Sequence, residues 1–259
     1  MSLIERVTNA IAEDTDDGQS ADGYELGARI PVLNARLADA TPEAIIASAL
    51  RSVGQGRFAI VSSFGAESAV MLAAAVRVDA SIPVLFLDTG YHFPETLAYR
   101  DLLQERLALT DVRSLRPNES EAAAEDPEGD LFQRDPDACC ALRKVRPLGR
   151  ALAGFDAWAN GRKRYQGVSR AAIPVVEIDG PRLKFNPLAG LSRADVVGRF
   201  RALGLPAHPL EKFGFASIGC MPCTSRVAPG ENPRTGRWRG RGKVECGIHP
   251  VSFALPNNR

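Results

Sequence analysis

The chain has 259 residues, of which 45% are hydrophobic and 24% are charged, and its formal net charge is +1. This composition is typical of a globular protein, and the length suffices for one large domain with an appended segment or for two small domains. The near-neutral charge does not favour a nucleic-acid or membrane partner, and no run of about 18 or more apolar residues predicts a transmembrane helix. The N-terminus lacks the basic start and apolar stretch of a secretory signal, so we expect a cytoplasmic protein.

The first part of the chain is acidic and has little apolar periodicity. We interpret residues 1–40, which include the acidic stretch Glu13 to Glu25, as a mobile leader with the start of the first helices. Thr41 as N-cap and Pro42 as the first helical residue predict a helix that ends at Val53. Two strand–turn–helix units follow. Their strands are predicted at Arg57 to Phe64 and Ile82 to Asp88, and their helices at Glu67 to Val78 and from Pro94 onward.

Shorter elements are predicted in the second half of the chain. They are a strand at Val112 to Arg116, a helix at Asp137 to Leu152 that Pro147 bends, a strand at Phe155 to Ala159, a hairpin at Val175 to Phe185 and a helix at Ser192 to Leu203. Successive strand–helix units predict an α/β fold, in which an open and mostly parallel sheet carries helices on both faces. The chain from Pro206 onward is rich in Pro, Gly and Arg, so we assign residues 41–205 to the core and residues 206–259 to a loop-rich C-terminal segment.

A loop rich in Ser and Gly lies between the first predicted strand and its helix. In the sequence SSFGAES, from Ser62 to Ser68, hydroxyls and free backbone N–H groups at a helix N-terminus can hold a phosphate or a sulfate. The loop is neither a Walker A motif nor a dinucleotide-binding fingerprint, and ordinary helix capping is the alternative. Asp88 lies at the end of the second predicted strand and would border the same crevice. The candidate substrate-binding residues here are Ser62, Ser63, Gly65 and Asp88.

The five cysteines form an adjacent pair, a Cys-x-x-Cys pair and a single residue near the end of the chain. In a reducing compartment we expect no disulfide framework. The two pairs supply four thiolates for a metal centre, which is either zinc or an iron–sulfur cluster: Cys139, Cys140, Cys220 and Cys223. Adjacent ligands reach the separate iron corners of a cluster more easily than one small ion, which slightly favours the cluster. Four unrelated core cysteines are the remaining alternative.

The fifth cysteine, Cys246, lies in a polar sequence between Gly242 and Pro250. Several basic residues lie close to it in the chain: Arg234, Arg237, Arg239, Arg241 and Lys243. Cations lower the pKa of a thiol, and the thiolate is the nucleophilic form. Arginine also binds sulfate or phosphate through two parallel hydrogen bonds. The segment therefore predicts a nucleophile beside an anion-binding cluster, with an ordinary surface thiol as the alternative.

Four motifs resemble those of the assimilatory adenylyl-sulfate reductases. They are CCALRKVRPL from Cys139, GCMPCT from Gly219, PRTGRW from Pro233 and ECGIH from Glu245. The SSFGAES loop and the sequence LDTG from Leu87 fit the same family. The resemblance runs in order from about Phe58 to His249.

The resemblance implies a fold like that of the adenine-nucleotide PP-loop enzymes and a 4Fe–4S cluster on the four paired cysteines. It implies adenosine 5′-phosphosulfate as the substrate and thioredoxin or a glutaredoxin-like protein as the electron donor. By motif, Cys246 is the nucleophile and forms an S-sulfocysteine, while Lys144 lies between the cluster and the substrate. The contacts with the phosphosulfate fall to Arg234, Arg237 and His249. Arg164, in a stretch that resembles the nucleotide-contacting segment of the family, is a further candidate.

Three other functions remain open at the level of sequence. The nearest alternative is that the chain reduces the 3′-phosphorylated substrate. The sister enzymes that do so typically lack the paired cysteines. A zinc-stabilised module for nucleic acid would use the basic tail, but it leaves Cys246 and His249 unexplained. A PP-loop ATP pyrophosphatase commonly carries the loop S-G-G-x-D-S, which SSFGAES matches only in part. We expect no nucleic-acid and no membrane partner, and we keep a homo-oligomer open.

Overall fold

The computed structural model describes residues 23–249, which are built around one six-stranded sheet. The strands are β1 (Phe58–Ser62), β2 (Val84–Leu87), β3 (Val112–Leu115), β4 (Ala157–Asn160), β5 (Val176–Asp179) and β6 (Arg182–Phe185). Their order across the sheet is β3-β2-β1-β4-β6-β5. Neighbouring strands are parallel except β5 and β6, which form an antiparallel hairpin at one edge. The predicted open and mostly parallel sheet is confirmed.

Helices connect most of the strands. They are α1 (Gly23–Leu37), α2 (Pro42–Val53), α3 (Ser68–Val76), α4 (Pro94–Arg106), α5 (Glu119–Glu125), α6 (Leu131–Arg134), α7 (Pro136–Cys140), α8 (Arg146–Leu152) and α9 (Arg193–Ala202). Short 3₁₀ turns occur at Arg164–Gln166, Val168–Arg170, Glu211–Phe213, Met221–Cys223 and Pro233–Gly236. Among the helices at residues 23–249, none combines the length and the apolar character that crossing a membrane requires.

Both faces of the sheet are buried. Side chains alternate along a strand, so Phe58 and Ile60 of β1 pack into a large cluster that includes residues of α2, α3, α4 and α9. Ala59 and Val61 of the same strand face the other way and pack with residues of α8. A parallel strand buried on both faces is expected to be largely apolar, as β1 is before its last residue, Ser62. The predicted helices on both faces are thereby confirmed.

Helix α1 covers the edge of the sheet at β5. The Asn34 side chain donates from Nδ2 to the carbonyl of Val176 at 2.8 Å and accepts from the Val176 N–H at 2.9 Å. These bonds occupy backbone groups that an edge strand would otherwise expose. The last residues of the predicted acidic stretch thus begin a helix, and the stretch before residue 23 lies outside the described residues. The division of the chain at residues 40 and 205 stays a prediction.

The segment predicted as one bent helix at Asp137 to Leu152 consists of three helical parts. Helix α7 continues into a π turn at Ala141–Val145, and α8 begins at Arg146 with Pro147 in its first turn. Proline has no N–H to donate to the preceding turn, and a wider π turn absorbs that break. The π turn presents Lys144, so this local irregularity bears on the site.

The strand order creates a point where the direction of winding reverses. From β1 the chain moves outward to β2 and β3, and it then returns to β4 on the other side of β1. In open α/β sheets, ligands bind at such a point, outside the carboxyl ends of the strands. Here those ends are Ser62 of β1 and Asn160 of β4.

Candidate active site

A pocket lies at the carboxyl ends of β1 and β4. Its walls come from the loop after β1, the segment after β4, the π turn and the C-terminal segment. Most of the predicted catalytic and substrate-binding residues line it: Ser62, Ser63, Gly65, Lys144, Arg234, Arg237, Cys246 and His249. Residues far apart in the chain therefore meet at the point that the strand order indicates.

The SSFGAES loop forms one wall of this pocket. Ser62 Oγ accepts a hydrogen bond from the Phe64 N–H at 3.2 Å, and Ser68 Oγ donates to the Gly65 carbonyl at 2.5 Å. Phe64 adopts a φ of 45°, which turns the backbone sharply after β1. A Cβ at Gly65 would lie 3.2 Å from the carbonyl oxygen of Ile218, so a glycine allows that backbone to approach closely.

Four buried cysteines line a second and smaller cavity beside the pocket: Cys139, Cys140, Cys220 and Cys223. The first two end helix α7, Cys220 directly precedes the turn Met221–Cys223, and Cys223 is the last residue of that turn. All four are free thiols. Trp238 packs against Cys220 and Cys223, and Thr89 Oγ1 lies 3.2 Å from Cys220 Sγ. The fold thus joins the two predicted cysteine pairs.

The thiols border a cavity and do not enclose a single point. Among residues 23–249, no three Cys, His, Asp or Glu side chains form a group that could hold one metal ion. Four sulfur donors suit zinc or an iron–sulfur cluster by their chemistry. Donors spread around a shared cavity fit a cluster with separate iron corners better than a single tetrahedral ion.

The four thiols differ in acidity. Burial, with the Cys140 thiol beside it, raises the pKa of Cys139 to about 12. Burial also raises the pKa of Cys140 and of Cys223. At Cys220 burial acts in the same direction, but Lys144 and a hydrogen bond from Thr89 bring its pKa below the ordinary value. Of these four thiols, Cys220 ionises most readily.

Lys144 lines both the pocket and the cysteine cavity. Burial alone would lower the pKa of its ammonium group. The neighbouring thiols of Cys220, Cys246 and Cys140 act in the opposite direction and raise that pKa above its usual value. The side chain therefore stays a cation between the two cavities.

The tail that carries Cys246 lies across the pocket. Cys246 is half-buried, and Ile248 packs against the cluster on the α8 face of the sheet. The His249 ring stacks on Trp158, with a centroid distance of 5.9 Å and an interplanar angle of 10°. Burial, together with the Arg162 and Lys184 cations, holds the pKa of His249 well below its usual value. The imidazole is neutral, and its buried Nδ1 has no hydrogen-bond partner in the described part of the chain.

Two arginines of the C-terminal segment reach the same pocket. Arg234 donates from Nη2 to the carbonyl of Val244 at 2.7 Å, and burial with the nearby Arg170 lowers its pKa to about 10. Arg237 stacks on Trp238 at 4.5 Å, and its buried Nε has no partner among residues 23–249. A Cβ at Gly219 would overlap the guanidinium of Arg237, so this glycine is required for the arginine's position.

Two predicted substrate-binding residues lie outside the pocket wall. Asp88 accepts a hydrogen bond from Arg116 Nε at 3.0 Å, and Arg164 donates from Nε to the Ile173 carbonyl at 2.9 Å. Neither is among the residues that line the pocket. Each side chain is held by a hydrogen bond within the chain, and a substrate contact through the same atoms would require that bond to break.

Two carboxylates in the pocket were missed by the sequence-based prediction. Glu67 accepts hydrogen bonds from Tyr165 Oη at 2.7 Å and Gln166 Nε2 at 2.9 Å, and it pairs with Lys163 Nζ at 2.9 Å. Glu245 pairs with Arg170. Both carboxylates lie within recognised motifs, but their partners are distant in the chain and no local pattern indicates them.

The fold and the site define an α/β protein with a pocket where the winding of the sheet reverses, the place at which open α/β sheets bind ligands. The chain belongs to the family described as the phosphoadenosine phosphosulfate reductase domain, which matches residues 57–226. The family resemblance inferred from the motifs is confirmed.

Curated relatives match nearly the whole chain. The adenosine 5′-phosphosulfate reductase of Mesorhizobium japonicum is 46% identical over 236 residues, which are 91% of this chain and 90% of that protein. That of Chelativorans sp. is 49% identical, over 87% of this chain and 93% of the relative. The phosphoadenosine 5′-phosphosulfate reductase of Gloeobacter violaceus is 44% identical, over 82% and 89%.

Solved structures support the same fold. The phosphoadenylyl-sulfate reductase of Candida auris, in a phosphate complex, has a TM-score of 0.67 and 25% identity, over 82% of this chain and all of that one. The FMN adenylyltransferase of Candida glabrata has a TM-score of 0.52 at 14% identity, over 83% of this chain and 69% of that one. The second similarity concerns the fold alone.

Proposed function

We propose that this chain reduces adenosine 5′-phosphosulfate to sulfite and AMP in the cytoplasm, as a step of assimilatory sulfate reduction. The electron donor is a dithiol protein such as thioredoxin or a glutaredoxin-like protein. One observation carries the proposal: the Cys246 thiol lies at a pocket that also contains the Ser/Gly loop and several cationic side chains, among them Lys144, Arg234 and Arg237. The names of the bacterial relatives support the same substrate.

The reaction proceeds in two exchanges at sulfur. The Cys246 thiolate attacks the sulfur of the sulfuryl group, the bond from that sulfur to the phosphate oxygen breaks, and AMP leaves with the electron pair. The product is an S-sulfocysteine on the tail. A thiolate of the donor then attacks Cys246 Sγ, sulfite leaves with the electron pair of the broken S–S bond, and the second donor thiol resolves the mixed disulfide. The donor dithiol is oxidised, and Cys246 returns to a thiol.

Positive charge makes the first exchange feasible. A thiolate and a phosphosulfate repel one another, and cations held in the pocket offset that repulsion as charge moves to the leaving phosphate. We assign this role to Lys144, Arg234 and Arg237. Arg237 Nε, which has no partner within residues 23–249, is available to an anion, and His249, as a neutral imidazole, contributes a hydrogen bond without adding charge.

We assign a 4Fe–4S cluster to the cavity that the four paired cysteines line. Four buried thiols without disulfides, spread around one cavity, support this assignment. When bound, the cluster supplies an ordered anchor for α7 and local electrostatics beside Lys144. The two electrons of the reaction move through thiols, so the proposed exchanges need no redox change at this centre.

Anaerobically purified protein is expected to be brown and to contain about four irons per chain. Metal analysis and the visible absorption spectrum measure this. Cys139→Ser should lose the visible absorbance, whereas Cys246→Ser should keep it, because only the first residue lines the smaller cavity. A colourless protein with about one zinc per chain would overturn the cluster and favour the zinc-stabilised module.

Reduction of the 3′-phosphorylated nucleotide is the second candidate function, since the Gloeobacter relative bears that name. The wild-type protein should release sulfite from adenosine 5′-phosphosulfate with a kcat/KM about 100-fold or more above that for the 3′-phosphorylated form. Sulfite release is measured for both nucleotides with thioredoxin and its reductase. Equal values would overturn strict selectivity, and the reverse order would establish the alternative.

A further inference from the structure

We infer that Glu245 is a positioning residue: its carboxylate binds Arg170 and thereby holds Cys246 at the pocket. Arg170 donates from Nε to Glu245 Oε1 at 2.6 Å and from Nη2 to Glu245 Oε2 at 2.7 Å. Arg234 Nη2 lies 3.3 Å from the same carboxylate. Glu245 precedes the nucleophile directly in the chain, so this pair determines where the backbone presents Cys246. The inference rests on the proposed function.

Arg170 is itself fixed in the pocket wall that the segment after β4 forms. It belongs to the turn Val168–Arg170 and is buried. Its Nη1 donates to Gln166 Oε1 at 2.5 Å, and Gln166 Nε2 donates to Glu67 Oε2 at 2.9 Å. Glu67 is part of the SSFGAES loop. A continuous series of side-chain bonds therefore joins the loop after β1 to the residue beside the nucleophile.

The pair is shielded enough from water to have an energetic effect. The side chains of Arg170 and Glu245 are 10% and 19% exposed. A bidentate pair at this depth is screened less than a surface pair, and removing one member leaves the other charge uncompensated. Burial tends to raise the pKa of Glu245, but Arg170 and then Arg234 bring it below the usual value. The carboxyl group is therefore ionised in the folded protein.

Cys246 is held from both sides of the chain. On the C-terminal side, Ile248 packs on the sheet and His249 stacks on Trp158. On the N-terminal side the anchors are the Glu245 carboxylate and the Val244 carbonyl, which Arg234 binds. Gly247, between the two sets of anchors, has a φ of 83° and adds no side chain of its own. Without the carboxylate, the residue next to Cys246 loses its bidentate ion pair, and the nearest remaining bond on that side is the one from Arg234 to the Val244 carbonyl.

The test compares Glu245→Gln with Glu231→Gln. Glu231 is a matched control, because it also pairs with an arginine of the C-terminal segment, Arg239 at 3.0 Å, but at the surface and outside the pocket. The first readout needs no turnover: the rate at which iodoacetamide alkylates Cys246, followed by mass spectrometry of the tail peptide. We expect Glu245→Gln to raise this rate several-fold, because the tail leaves the pocket more often, and Glu231→Gln to leave it unchanged.

The second readout is AMP release in a single turnover without a dithiol donor. Misplacing a reacting group by about 1 Å costs on the order of 10- to 100-fold, so Glu245→Gln should slow this step by that factor while nucleotide binding changes about twofold or less. Glu245→Asp keeps the charge and should recover part of the rate. Arg170→Gln combined with Glu245→Gln should lose less than the product of the two single losses, because the two side chains act as one pair.

The two readouts separate failure of the inference from failure of the proposed function. If Glu245→Gln matches Glu231→Gln in both readouts, or weakens nucleotide binding without slowing AMP release, Glu245 does not position Cys246. If the two single losses multiply, Glu245 does not act through Arg170. If the wild-type protein releases no AMP, the proposed function fails, and the alkylation rates still report whether Glu245 holds the tail.

Discussion

The Cys246→Ser variant will release no measurable sulfite from adenosine 5′-phosphosulfate. A serine hydroxyl is not ionised near pH 7 and is a poor nucleophile toward sulfur, whereas the thiolate form of a cysteine is a strong nucleophile. Loss of a covalent nucleophile lowers the rate by about 10⁴-fold or more in enzymes that depend on one. The measurement is sulfite and AMP release at saturating nucleotide, together with a mass spectrum of the tail peptide after a single turnover.

The controls for this variant are the mass of the tail peptide, the nucleotide affinity and the visible absorbance. The wild-type tail peptide should gain the mass of a sulfonate group at Cys246 when the donor is omitted, and the variant peptide should not. Nucleotide affinity and visible absorbance should be retained, since the substitution exchanges one atom and Cys246 is not among the residues of the smaller cavity. A Cys246→Ser enzyme that turned over at near the wild-type rate would show that the nucleophile has been misassigned.

The Lys144→Met variant is expected to show the second-largest loss. Methionine keeps most of the length and the apolar stem but removes the cation that lies between the pocket and the cysteine cavity. Removing one pre-organised electrostatic group commonly lowers a rate by about 100- to 1,000-fold. Single-turnover AMP release should fall by that factor, and nucleotide binding should fall less, because the stabilisation grows as negative charge develops on the leaving phosphate.

Arg146→Met is the matched control for Lys144→Met. Arg146 lies two residues further along, is exposed, and pairs with Glu125 away from the pocket. It should retain AMP release within about twofold, as surface substitutions usually do. Iron content is measured in both variants and should equal that of the wild type. If Lys144→Met released AMP within threefold of the wild-type rate, the assigned electrostatic role of Lys144 would be wrong.

Local sequence chemistry predicts much of the fold. Thr41 caps α2 through a bond from the Ala44 N–H at 3.2 Å, and the helix has the predicted bounds. Ser192 caps α9 in the same manner, with the Asp195 N–H donating to its hydroxyl at 3.1 Å. These signals act within one turn of helix, so a linear pattern contains them. The apolar strands are predicted within a few residues for the same reason.

Other elements depend on contacts that no local pattern contains. The start of the first helices was predicted within residues 1–40, but without the bounds of α1. Asn34 ties this helix to Val176, which lies 142 residues further along the chain. The π turn before Pro147 also escaped prediction, because proline indicates an interruption but not the way the backbone absorbs it. In each case tertiary packing selects among local conformations that the sequence leaves open.

The candidate site divides along the same line. Its reactive groups lie within short motifs, so the cysteine pairs, Cys246 and the Ser/Gly loop are recognised from spacing and neighbours. The directions in which side chains point cannot be recognised from spacing and neighbours. Asp88 and Arg164 follow suitable elements, yet they bond to Arg116 and the Ile173 carbonyl outside the pocket.

The sequence by itself determined the chemical inventory: the family, the α/β order of elements, the two cysteine pairs and the lone thiol beside basic residues. Only the tertiary structure decided how these parts meet. It joined the cysteine pairs in one cavity and placed Lys144 where its side chain lines both that cavity and the pocket. It also paired Glu245 with Arg170, which lies 75 residues earlier. The physical reason is the separation along the chain over which each interaction acts. Capping, turn chemistry and apolar periodicity act over a few residues, whereas an ion pair across the pocket forms only after the sheet has brought distant segments together.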